Sequence, residues 1–230
     1  MTAPKPVIDN VGGILVVRDD LVPGGTKARV VPLLFGAGHK EYVYAGPCQG
    51  YAQVALAICA RQHGYKATIF CAARKEKHPR VLEAMEAGAK VVEIGPAGYL
   101  SVVRKRAADY CRESGARLLP FGLYTPQIVG GISAIAKALA SPKEVWTVAG
   151  SGTLSLALQA AWPNATFNAV LVGATPKDLG LARAWRAPER YESSARLPPP
   201  FPSCTNYDAK AWRFILRYAG SKSLFWNVAR

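Results

Sequence analysis

Short β-branched runs alternate with segments of helical length along most of the chain. No other feature limits the fold as strongly. ILVVR (14–18), YVYAG (42–46), ATIFC (67–71), KVVEIG (90–95), ARLLPF (116–121), EVWTVAG (144–150) and NAVLVG (168–173) read as buried strands. Between them, 50–63, 78–88, 99–114, 127–140 and 153–161 have helical length. In HPRVLEAMEAG, Val81, Leu82 and Met85 are read as one apolar face, and Gly88 as the helix stop. Repeated strand–helix alternation requires right-handed crossovers, so the expected fold is α/β with mostly parallel sheet covered on both faces. The pattern breaks at 187–204, where five prolines forbid regular helix or sheet. That stretch is expected to be an extended loop able to cross the mouth of a site. A last helix is expected at about 207–219, apolar through Trp212, Ile215 and Leu216 and basic through Lys210, Arg213 and Arg217.

Half of the 230 residues are hydrophobic and 19% are charged, a balance that supports a buried core. Lys and Arg total 29 against 15 Asp and Glu, a net charge of +14. Solubility needs far less. The excess points to an anionic partner, nucleic acid or a phosphorylated ligand, with a merely basic surface as the alternative. No run reaches the ~20 apolar residues of a membrane span, so no membrane partner is expected. The start, MTAPKPVIDN, lacks the apolar stretch of a secretory signal. Cys48, Cys59, Cys71, Cys111 and Cys204 are scattered, without CxxC spacing or a Cys/His cluster, so no metal is expected. They read as reduced, mostly buried thiols of a cytoplasmic protein.

Four motifs could carry chemistry. Gly24-Gly25-Thr26-Lys27 follows the charged end of the first strand, Arg18-Asp19-Asp20. Two glycines permit a tight turn, and a lysine at a helix start opposes the macrodipole. Lys27 is therefore a candidate for amine chemistry, against the reading of a solvated surface lysine. Gly150-Ser151-Gly152-Thr153 lies between a strand and a helix, where backbone N–H groups and hydroxyls can bind phosphate. It is neither a Walker nor a dinucleotide fingerprint, and an ordinary capped turn is the alternative. Ala45-Gly46-Pro47-Cys48-Gln49-Gly50-Tyr51 is a third strand–loop–helix junction, in which Cys48 has no evident His or Asp partner for nucleophilic catalysis. Asn206-Tyr207-Asp208-Ala209-Lys210-Ala211-Trp212 opens the last helix.

The order of these motifs resembles the fold type II pyridoxal-phosphate (PLP) enzymes, the tryptophan synthase β-like family. The likeness is nearest to their aminocyclopropane-carboxylate (ACC) deaminase and D-cysteine desulfhydrase branch. Arg18-Asp19-Asp20-Leu21 with Gly24-Gly25-Thr26-Lys27-Ala28-Arg29 resembles the family's RxDL…GGNKxRKL. Leu119-Pro120-Phe121-Gly122 with Gly130-Gly131 is similar to its IPxG…GxxG, and Tyr207-Asp208-Ala209-Lys210-Ala211 to its YxGKA. The resemblance implies two mostly parallel-sheet lobes in a truncated chain. The larger, cofactor-binding lobe would comprise 1–41 and 117–230, and the smaller one 42–116. It also implies PLP as cofactor and allows a homodimer. Lys27 would hold the cofactor through its amine and move protons at Cα. Gly150, Ser151, Gly152 and Thr153 would bind the phosphate. Asp208 would face the pyridine nitrogen, and Tyr207 would lie near the ring and assist acid–base steps. Gln49, Gly50 and Tyr51 would sit where substrate carboxylate and ring hydroxyl are held.

The family's Ser-Asn-His triplet is replaced here by Gln49-Gly50-Tyr51, the chain is short, and the charge is high for an enzyme of small amino acids. Short relatives occur in bacteriophages that hypermodify thymidine, which would place the protein in the host cytoplasm. The favoured expectation is decarboxylation of an amino acid attached to a modified thymidine in DNA, with the base flipped out or single-stranded. A PLP-dependent deaminase, desulfhydrase or lyase of a small free amino acid is the alternative. A non-catalytic nucleic-acid-binding protein on the same fold is a third.

Overall fold

The protein is described by a computed structural model covering residues 5–95, 99–173, 175–176 and 178–230. The chain divides into two compact units, residues 1–29 with 126–230, and 30–125. The smaller unit extends beyond the expected 42–116 on both flanks. It takes in two short 3-10 turns, Val31–Leu34 and Phe121–Leu123, whose Val31, Leu34 and Leu123 are buried.

The larger unit begins with β1 (Ile8–Val11), β2 (Ile14–Arg18) and the short helix α1 (Gly25–Ala28). The smaller unit follows as β3 (Glu41–Ala45), α2 (Ala52–Gln62), β4 (Lys66–Ala72), α3 (Pro79–Glu86), β5 (Lys90–Ile94), α4 (Leu100–Ser114) and β6 (Arg117–Leu119). The chain then returns to the larger unit with α5 (Pro126–Lys137), β7 (Glu144–Ala149), α6 (Thr153–Ala161), β8 (Thr166–Leu171), β9 (Arg183–Arg186), α7 (Trp212–Tyr218) and β10 (Leu224–Asn227).

In the smaller unit the sheet order is β5-β4-β3-β6, every pair parallel. Val43, Ala45 and Phe70 pack with Val103 and Ala107 of α4, which explains why β3 and β4 are nearly continuous apolar runs. In α3 the buried residues are Val81 and Ala84. Leu82 and Met85, expected on the same face as Val81, are 43% and 44% exposed. Small Ala84 lies three residues from Val81, on its side of the helix, and allows close packing where the larger residues would not fit.

The larger sheet runs β1-β2-β10-β7-β8-β9, parallel except for the β1–β2 pair. The expectation of mostly parallel sheet therefore holds. β1, β9 and β10 lie outside the strands read from sequence. β10 matters most. It is four residues long, wholly buried, and inserted between β2 and β7, with Trp226 opposite Val17 and Asn227 opposite Arg18. Ile14, Val16, Trp146, Val148, Val170 and Phe225 form the core on which Trp212 and Ile215 of α7 pack. Leu216, expected on the apolar side of the last helix, is 60% exposed, and Lys210, expected on its basic side, is buried. Lys210 belongs to the preceding 3-10 turn (Asp208–Ala211), where the phase of the α-helix does not apply. Residues 187–204 contain neither helix nor strand, as the prolines require. No helix among the described residues is long and apolar enough to cross a membrane.

Candidate active site

β2 is followed by two adjacent carboxylates that the fold buries completely or almost so, Asp19 and Asp20, in a 3-10 turn over Asp19–Leu21. A buried carboxylate persists only with charged or hydrogen-bonding partners. Asp19 Oδ1 accepts from Arg29 Nε at 2.8 Å, and Oδ2 from Thr26 Oγ1 at 2.7 Å and Trp226 Nε1 at 2.9 Å. Asp20 is held by Arg18 through Nε and Nη2, both at 2.9 Å, and by Asn227 Nδ2 at 2.8 Å. The Thr26 N–H donates to Val228 O at 3.1 Å. The residues flanking Lys27 are thus fixed from two directions, by Asp19 and by the end of β10. Burial raises the Asp19 carboxyl, and the Arg29 charge and the hydrogen bonds oppose the shift.

Lys27 lies in this clamp, itself only half-buried. Desolvation lowers its amine to about 8, and the negative charge of Asp208 acts in the opposite direction. Asp208 is completely buried. Its Oδ2 accepts from the Ala229 N–H at 3.3 Å, whereas Oδ1 is buried without a hydrogen-bond partner among the described residues. Burial pushes this carboxyl well above the usual range. Asp20 adds to that effect, while the Val228 and Ala229 N–H groups and the Lys27 charge resist it.

Tyr207, next to Asp208, reaches the glycine turn. Its hydroxyl accepts the Gly150 N–H at 2.8 Å and donates to Val148 O at 3.3 Å. Burial and the Asp208 charge raise the phenol above its ordinary range. A hydroxyl placed and shifted in this way holds the turn.

The turn itself needs its glycines. A Cβ on Gly150 would sit 3.2 Å from Tyr207 Cε2. Gly152 has φ +83° and caps α6 at its start, and a Cβ there would lie 2.5 Å from the Asp178 carbonyl oxygen. Ser151 Oγ and Thr153 Oγ1 are 3.0 Å apart. No side-chain hydrogen bond caps α6, so the ordinary capped-turn reading lacks its capping group. A helix start without a side-chain cap suits a phosphate.

Three motifs far apart in sequence are therefore linked within the larger unit. Tyr207 bonds the 150–153 turn, and its neighbour Asp208 acts electrostatically on Lys27. The group implied by the sequence resemblance fits these residues. The orphaned Asp208 Oδ1 suits a pyridinium N–H, the Lys27 amine suits an aldehyde, and the uncapped glycine turn suits a phosphate.

Gln49, Gly50 and Tyr51 belong to the smaller unit, where they make local contacts. Gln49 Oε1 accepts from Cys48 Sγ at 3.2 Å, and the Gly50 N–H closes a turn onto Pro47 O at 2.9 Å. The Tyr51 hydroxyl donates to Glu83 at 3.3 Å, and the Arg80 guanidinium lies 4.4 Å from the Tyr51 ring centroid. The motif reading missed Trp226, Asn227 and the carboxyl-terminal backbone that caps Asp208. Nothing in a four-residue run, LFWN, announces a central strand. Asp19 and Asp20 were visible as paired acids at a strand end, but their depth was not.

No protein-family model and no curated protein matches the chain. Solved structures do. The chain is 16% identical to an ACC deaminase homologue with a TM-score of 0.83, covering 100% of this chain and 90% of that one. It is 12% identical to a processed threonine deaminase isoform 2 from Solanum lycopersicum, with a TM-score of 0.71 over 99% of this chain and 80% of that one. A hydrogen sulfide-producing enzyme from Fusobacterium nucleatum is 13% identical, with a TM-score of 0.70 over 99% and 94%. At these identities the likeness establishes architecture. The chain has the α/β fold of the fold type II enzymes, as its motif order implied.

Proposed function

We propose that this protein is a PLP-dependent enzyme that breaks a bond at Cα of an amino-acid group, and that the group is carried on nucleic acid. The observation that carries the first part is the buried Asp208, with one oxygen unpartnered, acting on a lysine amine whose proton is loosened. When bound, PLP supplies a sink for the electron pair left at Cα.

The chain's own residues do the rest. Lys27 would hold the aldehyde through its amine, whose lowered pKa leaves more neutral amine near pH 7 than an ordinary lysine has. The same amine would be the group that moves a proton at Cα. Asp208 Oδ1 would hold the proton of the ring nitrogen. Backbone N–H groups at the start of α6 and the Ser151 and Thr153 hydroxyls would bind the phosphate, while Tyr207 fixes the turn.

The net charge of +14 supports a polyanionic substrate, and decarboxylation of an amino acid attached to DNA is the reading we favour. Chemistry on a free amino acid is the second reading, supported by neighbours described as an ACC deaminase homologue and a threonine deaminase.

The test is the visible spectrum with PLP added, before and after borohydride. Lys27→Ala is expected to abolish the lysine–cofactor band and turnover. A wild-type protein that stays colourless overturns the cofactor assignment. For the loaded enzyme, CO2 released from aminoacyl-modified DNA supports the favoured substrate. Ammonia or sulfide released from serine or D-cysteine, with modified DNA left intact, supports the second reading.

A further inference from the structure

An arginine-rich, aromatic face stands apart from the site described above. β9 is the last strand of the larger sheet, and no strand pairs with its outer edge among the described residues. β9 (RAWR) and α7 (WRFILRY) carry four arginines and no carboxylate. Trp185 of β9 stacks on Tyr218 of α7 with ring centroids 4.5 Å apart and planes 28° from parallel. Phe214, one turn earlier on the helix, approaches the same indole at 5.8 Å. The indole is fixed at its other end, where Nε1 donates to Asn168 Oδ1 at 2.8 Å.

Arginine borders this stack. The Arg183 guanidinium lies 4.1 Å from the Trp185 centroid, and the Arg217 guanidinium 5.3 Å from the Tyr218 centroid. Arg183, Arg213, Arg217 and Tyr218 are all exposed. Arg213 has a long ion pair with Glu189 at 3.5 Å, whereas no carboxylate lies within 4.0 Å of Arg183 or Arg217 among the described residues. Exposed guanidinium groups lying over aromatic rings, with no carboxylate within 4.0 Å among the described residues, are open to an anion. Ion pairing alone does not require the rings. A polymer that offers phosphates to the arginines and flat bases to the aromatic and guanidinium planes uses both.

We propose that the face formed by β9 and α7 is a docking surface for single-stranded nucleic acid. Arg183, Arg213 and Arg217 contact the phosphates, and Tyr218 with the Arg183 plane receives bases by stacking. The assignment rests on the nucleic-acid part of the function proposed above and adds where the strand is held. It does not depend on the chemistry at Lys27.

The test is fluorescence anisotropy of the PLP-loaded protein with a labelled single-stranded oligodeoxynucleotide and with the matching duplex, over a salt series. Single strand is expected to bind more tightly than duplex. Arg183→Gln with Arg217→Gln should weaken binding about tenfold and reduce the log–log salt slope by ~1.4, at ~0.7 per phosphate contact on a single strand. Tyr218→Ala should weaken single-strand binding by about fivefold or more, and Tyr218→Phe should restore it, because the ring and not the hydroxyl stacks. These side chains are exposed, so thermal unfolding and the visible band serve as controls of intact structure. Unchanged affinity in the double arginine variant overturns the surface, as does tighter binding to duplex. Displacement of the oligonucleotide by polyglutamate at equal charge overturns it in favour of an acidic protein partner. Loss of the visible band with binding retained removes the cofactor reading and leaves the surface. A visible band in a wild type that binds no strand does the reverse.

Discussion

The Tyr207 hydroxyl accepts the Gly150 N–H at 2.8 Å, tying the residue before the buried Asp208 to the turn that opens α6. Tyr207→Phe removes that acceptor and leaves the ring. PLP affinity is expected to fall about fivefold, the worth of one hydrogen bond near 1 kcal/mol. The turnover number of the fully loaded enzyme should change less than about threefold. Equilibrium titration by absorbance and saturation kinetics separate the two. A large fall in turnover with unchanged affinity would return Tyr207 to acid–base catalysis.

Lys27 should titrate near 8 instead of near 10.5. The rate of PLP capture, followed by the visible band, is then expected to rise with pH through about 8 and level off above it. Asp208 raises this pKa, so Asp208→Asn should move the midpoint lower while slowing turnover. The sign for stability follows. Between pH ~8 and ~10.5 the unfolded state binds more protons at this residue than the native state, so the cofactor-free protein gains stability as pH rises through that window. Lys27→Met should flatten that rise in thermal unfolding. A midpoint near 10.5 in the capture experiment would show the amine to be solvated.

The two turn glycines should differ in tolerance. Gly150→Ala brings a methyl to 3.2 Å from the Tyr207 ring, which can move at the expense of its hydrogen bond. Weaker PLP binding with near-normal stability is expected. Gly152→Ala combines φ +83° with a 2.5 Å approach to the backbone oxygen of Asp178, which has no such freedom. A loss of about 2 kcal/mol or more is expected there, with PLP binding abolished. Comparison of the two thermal midpoints and two binding curves checks this. Equal stability of the variants would contradict it.

Trp226→Phe tests the clamp from the far end of the chain. It removes the indole N–H shared by Asp19 at 2.9 Å and Thr26 at 3.0 Å and leaves the Arg29–Asp19 pair in place. A destabilisation of about 1–3 kcal/mol is expected, read as a lower thermal midpoint. PLP capture by Lys27 should also slow, because Thr26 loses one of its anchors. Unchanged capture with lowered stability would confine Trp226 to the core.

Strand–helix alternation alone determined the α/β class, since strand-like runs of five to seven residues separated by helical lengths permit little else. The four chemical motifs were also legible, because Gly-Gly-Thr-Lys, Gly-Ser-Gly-Thr and Tyr-Asp are local patterns. Depth was not. Leu82 and Met85 were read onto the face of Val81 yet are exposed, and Lys210 looks like a surface cation yet is buried. The identity of the packing partner, and not the periodicity, decides burial. Only the tertiary structure placed LFWN between β2 and β7, where Trp226 meets Asp19 and the following backbone caps Asp208. The electrostatic meeting of Lys27 and Asp208 is likewise tertiary. It depends on a non-local strand pairing that no window of sequence contains, and on a desolvation that exists only once the sheet has closed around both groups.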